Sequence, residues 1–227
     1  MSKSNSFIKV DNSGSYGFEL EAWKEGKLVF GVDEVGRGCL SGPVVACCLA
    51  LRPFSTHELM IDSKILTENK LLEASAWIKH NSVYAFGVIN ASLIDELNIY
   101  QATQLAMKRA YFGLLTHPLL PKKPSCVLID AVPLELDVPV FSFIKGESKS
   151  VSIAAASIMA KVYRDKLLQV LAPSFPVYSF NLNKGYGTVL HQGGIGLHGL
   201  SLAHRKTFKI NTKKSINQLN QGHLFDI

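Results

Sequence analysis

Short unbroken apolar runs alternate along this chain with longer stretches in which apolar residues recur at helical spacing, the pattern of an α/β protein. Leu28 to Val32, Val44 to Leu51, Val83 to Ile89, Ser125 to Ile129 and Val140 to Phe143 read as five strands. The runs ending at Val32 and Ile129 are β-branched and continuous, as in strands buried on both faces. Phe18 to Trp23 predicts a short helix stopped by the Glu25-Gly26 turn, and Leu66 to Lys79 a helix with Thr67 as its N-cap. Ser92 to Leu115 predicts a helix or two, with Leu93, Leu97, Ala102, Leu105, Ala106 and Ala110 at helical spacing, before a connection carrying Pro118, Pro121 and Pro124. An Ala-rich helix follows from about Ser150 to Leu171, which Pro173 helps to stop. Beyond it, Gly-rich and basic segments read as loops and short helices. The expected architecture is a mixed five-stranded sheet flanked by helices, with a helical C-terminal extension, in one domain over 16–208. A polar leader (1–15) and a basic, polar tail (209–227) flank it.

Composition narrows the class. With 227 residues, 47% hydrophobic and 19% charged, the chain can bury a full core. Its longest apolar run, Pro43 to Leu51, is too short to cross a bilayer, and the first residues lack the apolar centre of a signal peptide, so a cytoplasmic protein with no membrane partner is expected. Cys39, Cys47, Cys48 and Cys126 form no CxxC pair and lie in or beside apolar runs, which favours buried thiols with a packing role. The net charge of +6 is uneven: Val140 to Lys214 holds 11 Lys and Arg against 2 Asp and Glu, whereas the rest of the chain is net negative. That asymmetry points the C-terminal third at a polyanion, of which nucleic acid is the commonest.

Four acids then change the picture. Asp33 and Glu34 directly follow one buried-type run and Asp130 another, so each is expected to emerge at a strand's carboxyl end, where open sheets place their sites. Asp165 shares a helix face with Ser157 and Lys161, four residues apart each time. Taken singly, these are ordinary turn residues and a surface Lys-Asp pair. Gathered together, carboxylates repel one another unless a cation neutralises them, and all-oxygen ligands suit Mg²⁺ or Mn²⁺. Gly36-Arg37-Gly38 follows the first two acids, where glycines let backbone N–H groups approach a ligand and Arg37 can fork onto a phosphate. Lys145 to Lys149 is a basic loop at a helix N-terminus. Lys184 to Thr188 places Tyr186 between glycines, suited to stacking on a sugar or base. His204 and Arg205 add a proton-transfer group, more often structural when alone, and a further cation.

These residues sit in segments that resemble the bacterial ribonuclease HII family: GVDEVGRG and SGPVVA (Gly31 to Gly38, Ser41 to Ala46), IDSK (Ile61 to Lys64) and DELNIYQATQLAMKRA (Asp95 to Ala110). LIDA (Leu128 to Ala131), IKGESKSVSIAAASIMAKVYRD (Ile144 to Asp165), KGYGT (Lys184 to Thr188) and AHRKTF (Ala203 to Phe208) continue the series in family order. The resemblance implies an RNase H-like fold. It also implies an endonuclease that cuts the RNA strand of RNA–DNA hybrids and incises 5′ of ribonucleotides embedded in duplex DNA, leaving 3′-hydroxyl and 5′-phosphate ends, as in ribonucleotide excision repair and DNA replication. By position, Asp33, Glu34, Asp130 and Asp165 match the metal-binding catalytic carboxylates, served by two Mg²⁺ or Mn²⁺ ions. Gly36, Arg37 and Gly38 match the loop that reads the 2′-OH, and Tyr186 the tyrosine that senses the RNA–DNA junction. Lys64, Lys145, Lys149, Lys161 and Lys184 fall in segments expected near phosphates.

The sequence departs from the family pattern at Cys39, where proline is usual, at Ala131, where glycine or asparagine is common, and at Glu147, where aspartate is common. None is a metal ligand, so loop geometry is what they put in question. The nearest rival is ribonuclease HIII, whose members usually carry an added N-terminal domain and another residue between the turn glycines. A nucleic-acid-binding protein with a degenerate site would lack a carboxylate, and all four are present; a DNA-only nuclease of the wider superfamily is a third reading. Gln221 to Phe225 resembles the Gln-x-x-Leu-Phe peptide with which replication proteins dock on the sliding clamp, so Gln221, Leu224 and Phe225 are expected clamp anchors. A monomer is expected.

Overall fold

Strand β1 (Val29–Val35) occupies the middle of a five-stranded sheet whose order is β3-β2-β1-β4-β5 in the computed structural model, which describes residues 16–211. It pairs antiparallel with β2 (Val44–Leu51), which pairs antiparallel with β3 (Ser82–Ile89). On its other side it pairs parallel with β4 (Cys126–Asp130), itself parallel to β5 (Val140–Phe143). A short connection joins the antiparallel strands β1 and β2, whereas the chain reaches β4, the parallel neighbour of β1, only after β2, β3 and the helices between.

Around the sheet lie α1 (Gly17–Lys24), α2 (Glu68–Asn81), α3 (Ala91–Leu97), α4 (Ile99–Leu115) and α5 (Val151–Leu171). Short helices α6 (Phe180–Asn183) and α7 (Val189–His198) supply the helical C-terminal extension. One core joins α4 (Ala102, Ala106, Met107, Ala110) to Phe30, Val32, Ala46 and Cys48; another joins α5 (Ala155, Ala156, Met159) and α2 to Val45, Cys47 and Leu49. Alternation along β2 thus feeds both cores, and all eight of its residues are buried. Helix α5 rests directly on the central strand, because a Cβ on Gly31 would stand 2.2 Å from the Ser152 backbone. Ser150 caps this helix through its hydroxyl, which accepts from Ile153 N–H at 3.1 Å. All four cysteines are free and buried. Among the described residues no helix is long and apolar enough to cross a membrane.

One boundary differs from the sequence reading, and the choice between one helix and two over 92–115 is resolved. β1 does not stop at Val32. Its pairing with β4 ends there, but pairing with β2 continues through Asp33, Glu34 and Val35 opposite Cys47, Ala46 and Val45. Asp33 and Glu34 therefore extend past the parallel neighbour while still held by the antiparallel one. The stretch from Ser92 to Leu115 is two helices, broken at Asn98, whose φ is 70° and whose carboxamide oxygen caps α4 by accepting from Tyr100 and Gln101 N–H. The leader 1–15, the tail from 212 onward and the clamp anchors Gln221, Leu224 and Phe225 lie outside the described residues.

Candidate active site

Because β1 outruns β4, a cavity of about 250 Å³ opens where the two strands part. Asp33, Glu34 and Asp130 line it with Val35, Gly36, Arg37, Ser63, Lys64, Glu147, Ser157, Lys161 and Tyr186. Asp165 is not among the lining residues. It sits one turn along α5 from Lys161, whose ammonium it holds at 2.7 Å. Thus the spacing of 157, 161 and 165 gives a shared helix face, with Ser157 and Lys161 on the cavity and Asp165 beyond them.

Acid is only partly compensated in this cavity, where Arg37, Lys64 and Lys161 stand among Asp33, Glu34, Asp130 and Glu147. Burial pushes the Asp33 carboxyl well above the usual range, and repulsion from Glu34 and then Asp130 adds to it, against a hydrogen bond from Ser157. Glu34 is raised by burial too, opposed by the Arg37 guanidinium at 3.2 Å. Its Oε2 is buried without any hydrogen-bond partner. Asp130 accepts a 2.8 Å bond from Gly146 N–H, which fixes its orientation. A buried carboxylate oxygen left unpaired costs on the order of 1–3 kcal/mol, and native folds keep such atoms for a ligand or a strained function. The donor set is all oxygen, as hard divalent cations require. As placed, no three His, Cys, Asp or Glu among the described residues stand close enough together to hold an ion. The acids that fit a metal are gathered around one cavity, and drawing them onto an ion requires side-chain movement.

Next to the acids lies a basic hub. Arg164 and Arg205 are completely buried, and neither forms an ion pair with a carboxylate among the described residues. Arg164 donates to the carbonyls of Pro43, Lys184 and Ser41 at 2.9, 2.8 and 3.0 Å. Arg205 donates to Gly42 O through Nε and one terminal nitrogen and to Arg37 O at 2.9 Å through the other. These guanidinium groups pin the Gly36–Gly38 turn, the 41–43 segment and the Lys184–Gly185 turn to one another. Gly36 is needed there: its φ is +91°, and a Cβ would stand 2.2 Å from Arg164 Nε. Gly38 differs, having open space where a Cβ would go.

Tyr186 is 42% exposed, with Lys161 and Arg164 over its ring at 5.9 and 6.0 Å. Lys64 and Lys161 reach the cavity. Lys145, Lys149 and Lys184 do not line it: Lys149 lies over the Phe143 ring, and Lys184 Nζ bonds to Asn181 O. His204 is buried, its Nδ1 bonded at Ser201 and its Nε2 3.1 Å from His191 Nε2. It is a packed structural group far better than a proton donor to solvent-borne substrate. Sequence reading passed over Arg164 and gave Glu147 no place in the site. Arg164 does carry a signal, since it falls four residues from Ala160 and Leu168, on the buried stripe of α5.

The family model described as Ribonuclease HII matches residues 30–210. The Ribonuclease HII of Macrococcus caseolyticus (strain JCSC5402) is 44% identical over 191 residues, covering 84% of this chain and 70% of that one. Among solved structures, Bst-RNase HIII in complex with Mn²⁺ superposes with a TM-score of 0.66 at 18% identity, covering 97% of this chain and 78% of that chain. The PCNA:RNase HII complex from Archaeoglobus fulgidus gives 0.63 at 22% identity, covering 81% and 96%. At such identities the structural likeness establishes the RNase H-like fold.

Proposed function

The chain belongs to the ribonuclease HII family and is a ribonuclease H, an endonuclease acting on RNA–DNA hybrids; we propose that it also incises 5′ of single ribonucleotides in duplex DNA, at the carboxylate cavity. The observation that carries the assignment of the site is the unpaired, buried Glu34 Oε2 among Asp33, Asp130 and a glycine turn. Asp33, Glu34 and Asp130 would hold Mg²⁺ or Mn²⁺ in the cavity, Asp165 joining them only on release from Lys161, and such ions, when bound, activate water and stabilise the leaving 3′ oxygen. The remaining work falls to the chain itself. Arg37, half-exposed beside Glu34, offers its other donors to the phosphate backbone. The backbone of the Gly36–Gly38 turn, pinned from behind by Arg205, approaches the 2′-OH, the group that separates RNA from DNA at that position. Gly38 leaves the room for that approach. Tyr186, braced by two cations, presents its ring to the sugar on the DNA side of the junction. Lys64 and Lys161 neutralise phosphates at the mouth, with Lys145, Lys149 and Lys184 farther along the duplex.

The test is one duplex made with a single ribonucleotide, as all-DNA, and as a full hybrid, each in Mg²⁺, Mn²⁺ and EDTA. Metal-dependent cutting 5′ of the ribonucleotide and along the hybrid, with the all-DNA duplex intact, is expected; cutting of the all-DNA duplex would overturn the reading. Gly38→Ala should fold normally yet cut both ribonucleotide substrates poorly. A sliding-clamp partner is proposed through Gln221, Leu224 and Phe225, supported by the sequence and by the clamp seen with the Archaeoglobus fulgidus neighbour. Capture by purified clamp should be lost when residues 221–227 are removed.

A further inference from the structure

Behind Tyr186 stand two buried histidines whose hydrogen bonds run in one direction. His191 lies in the first turn of α7, where Thr188 Oγ1 accepts from its N–H. Its Nδ1 stands 2.8 Å from the Tyr186 carbonyl oxygen, which can only accept, so Nδ1 carries the proton. At the other end the Ser201 N–H, which can only donate, meets His204 Nδ1 at 2.9 Å, so that nitrogen is bare. In neutral rings the two remaining nitrogens are then complementary, and His204 Nε2–H donates to His191 Nε2 across 3.1 Å. Burial lowers the pKa of both rings, in keeping with a neutral pair. Tyr178 and Phe180 enclose them edge-on, with ring centroids 4.6 Å from His204 and 5.3 Å from His191.

The relay from Ser201 through His204 and His191 ends on the backbone of Tyr186. Thr188 N–H also donates to Tyr186 O, at 2.8 Å, but that bond only closes the local turn. His191 supplies the long link. Its Nε2 is 3.1 Å from Ser41 Oγ, in the segment that follows the Gly36–Gly38 turn, so one imidazole touches both the tyrosine backbone and the chain leaving the turn. The tautomer matters to this link. With the proton on Nε2 instead, the Tyr186 carbonyl would lose its donor, and the proton that His204 presents to that nitrogen prevents it.

We propose that His191 is a positioning residue, kept in one tautomer by His204, that sets the Tyr186 ring against the Gly36–Gly38 turn so that it meets the sugar beside the ribonucleotide. It acts on substrate only through Tyr186. The proposal rests on the reading of Tyr186 as the sensor of the RNA–DNA junction. The test, on the full chain, is the ratio of kcat/KM for a duplex with one embedded ribonucleotide to kcat/KM for a uniform hybrid. His191→Phe keeps a ring beside Phe180 but loses both bonds, and should lower that ratio about fivefold, the scale of one hydrogen bond. Cutting of the uniform hybrid should stay within about twofold. His191→Asn keeps a donor near the Nδ1 position and should restore most of the ratio. His204→Leu should lower the ratio by a smaller factor, and His204→Gln, which keeps a donor for His191 Nε2, should restore it. In a Tyr186→Ala background none of these changes should move the ratio further. Nitrogen NMR of the imidazoles at about pH 7.5 should show Nδ1–H at His191 and Nε2–H at His204.

Equal losses on both substrates, with the ratio unmoved, would overturn the proposal and leave His191 as packing alone. A further fall of the ratio in the Tyr186→Ala background would do the same, as would the opposite tautomer at either ring. If His191→Phe does not fold, His204→Leu against His204→Gln decides through the same ratio. Should Tyr186→Ala leave the ratio unmoved, the sensor reading fails and the proposal with it. Wild-type protein that cuts neither substrate would overturn the ribonuclease reading too, whereas the wrong tautomer in an active enzyme would overturn this proposal alone.

Discussion

On one side of the Gly36–Gly38 turn, four acids line a cavity with Glu34 Oε2 unpaired; on the other, the guanidinium groups of Arg164 and Arg205 are buried with their donors on backbone carbonyls. Both regions bring like charges together from distant parts of the sequence. They differ in who satisfies them. The basic hub is closed by the fold's own carbonyls, so it stabilises and aligns the turn whatever is bound. The acid cavity is left open, with Asp33 and Glu34 held in high-energy surroundings that a cation would relieve. Stability is concentrated in one region and recognition in the other, and the glycine turn is their shared wall.

The sharpest way to break this contrast is to neutralise one member on the acid side. Asp130→Asn should cut hybrid cleavage by about 10³-fold, a barrier of about 4 kcal/mol on the scale of lost transition-state electrostatics. Thermal stability in EDTA should be unchanged or higher, since a repulsive charge has gone. Near-normal cleavage would remove Asp130 from the site. The matching change on the basic side is Arg205→Leu, which strands the Gly42 and Arg37 carbonyls. A loss of about 3 kcal/mol in urea unfolding is expected from carbonyls left without donors. A variant with unaltered stability and poor cleavage would instead make Arg205 a substrate contact.

Acid should probe the hub from a different direction. Burial, helped by the neighbouring His191, lowers His204 to about 4, while an unfolded histidine titrates near its ordinary 6.5. His191 is lowered by burial as well. Between these limits the unfolded chain binds the proton and the fold does not. The contribution is therefore fully present above about pH 6.5 and is lost as pH falls towards 4, by at most about 1.4 kcal/mol per pH unit for each group. Urea midpoints measured from pH 7 to pH 4.5 should fall, and His204→Gln should flatten the slope. If the slope is unaffected, the histidines are not held neutral inside the hub.

The two regions were unequally legible in the sequence. Acids after apolar strands are conspicuous, because a carboxylate adjoining Val32 or Ile129 has no packing reason to be there. The continuation of β1 through Asp33 and Glu34 was not, since pairing to β2 depends on backbone register and not on polarity. The hub was almost invisible. Its acceptors are carbonyls of Arg37, Ser41, Gly42, Pro43 and Lys184, which every residue carries, so only the place of Arg164 on the buried stripe of α5 hinted at it. Asn98 was hidden for a similar reason: a helix break capped by its own side chain leaves the apolar spacing on both sides nearly intact.

Ala131 offers the finest discrimination between the two regions. It follows Asp130 at the end of β4 with φ of 52°, a left-handed conformation that costs an L-residue about 1–2 kcal/mol. Its N–H donates to Phe143 O at 2.8 Å, so the backbone is held there. Glycine removes the clash but adds freedom to the unfolded chain, worth about 0.5–1 kcal/mol in the opposite sense. Ala131→Gly should therefore gain about 0.5 kcal/mol in urea unfolding. Cleavage should stay within about twofold, because the Asp130 side chain is oriented from the Gly146 side and not by the strained residue. If cleavage instead falls severalfold while stability rises, the strain at Ala131 is part of how Asp130 is aimed, and the open acid region depends on its backbone as much as on its charges.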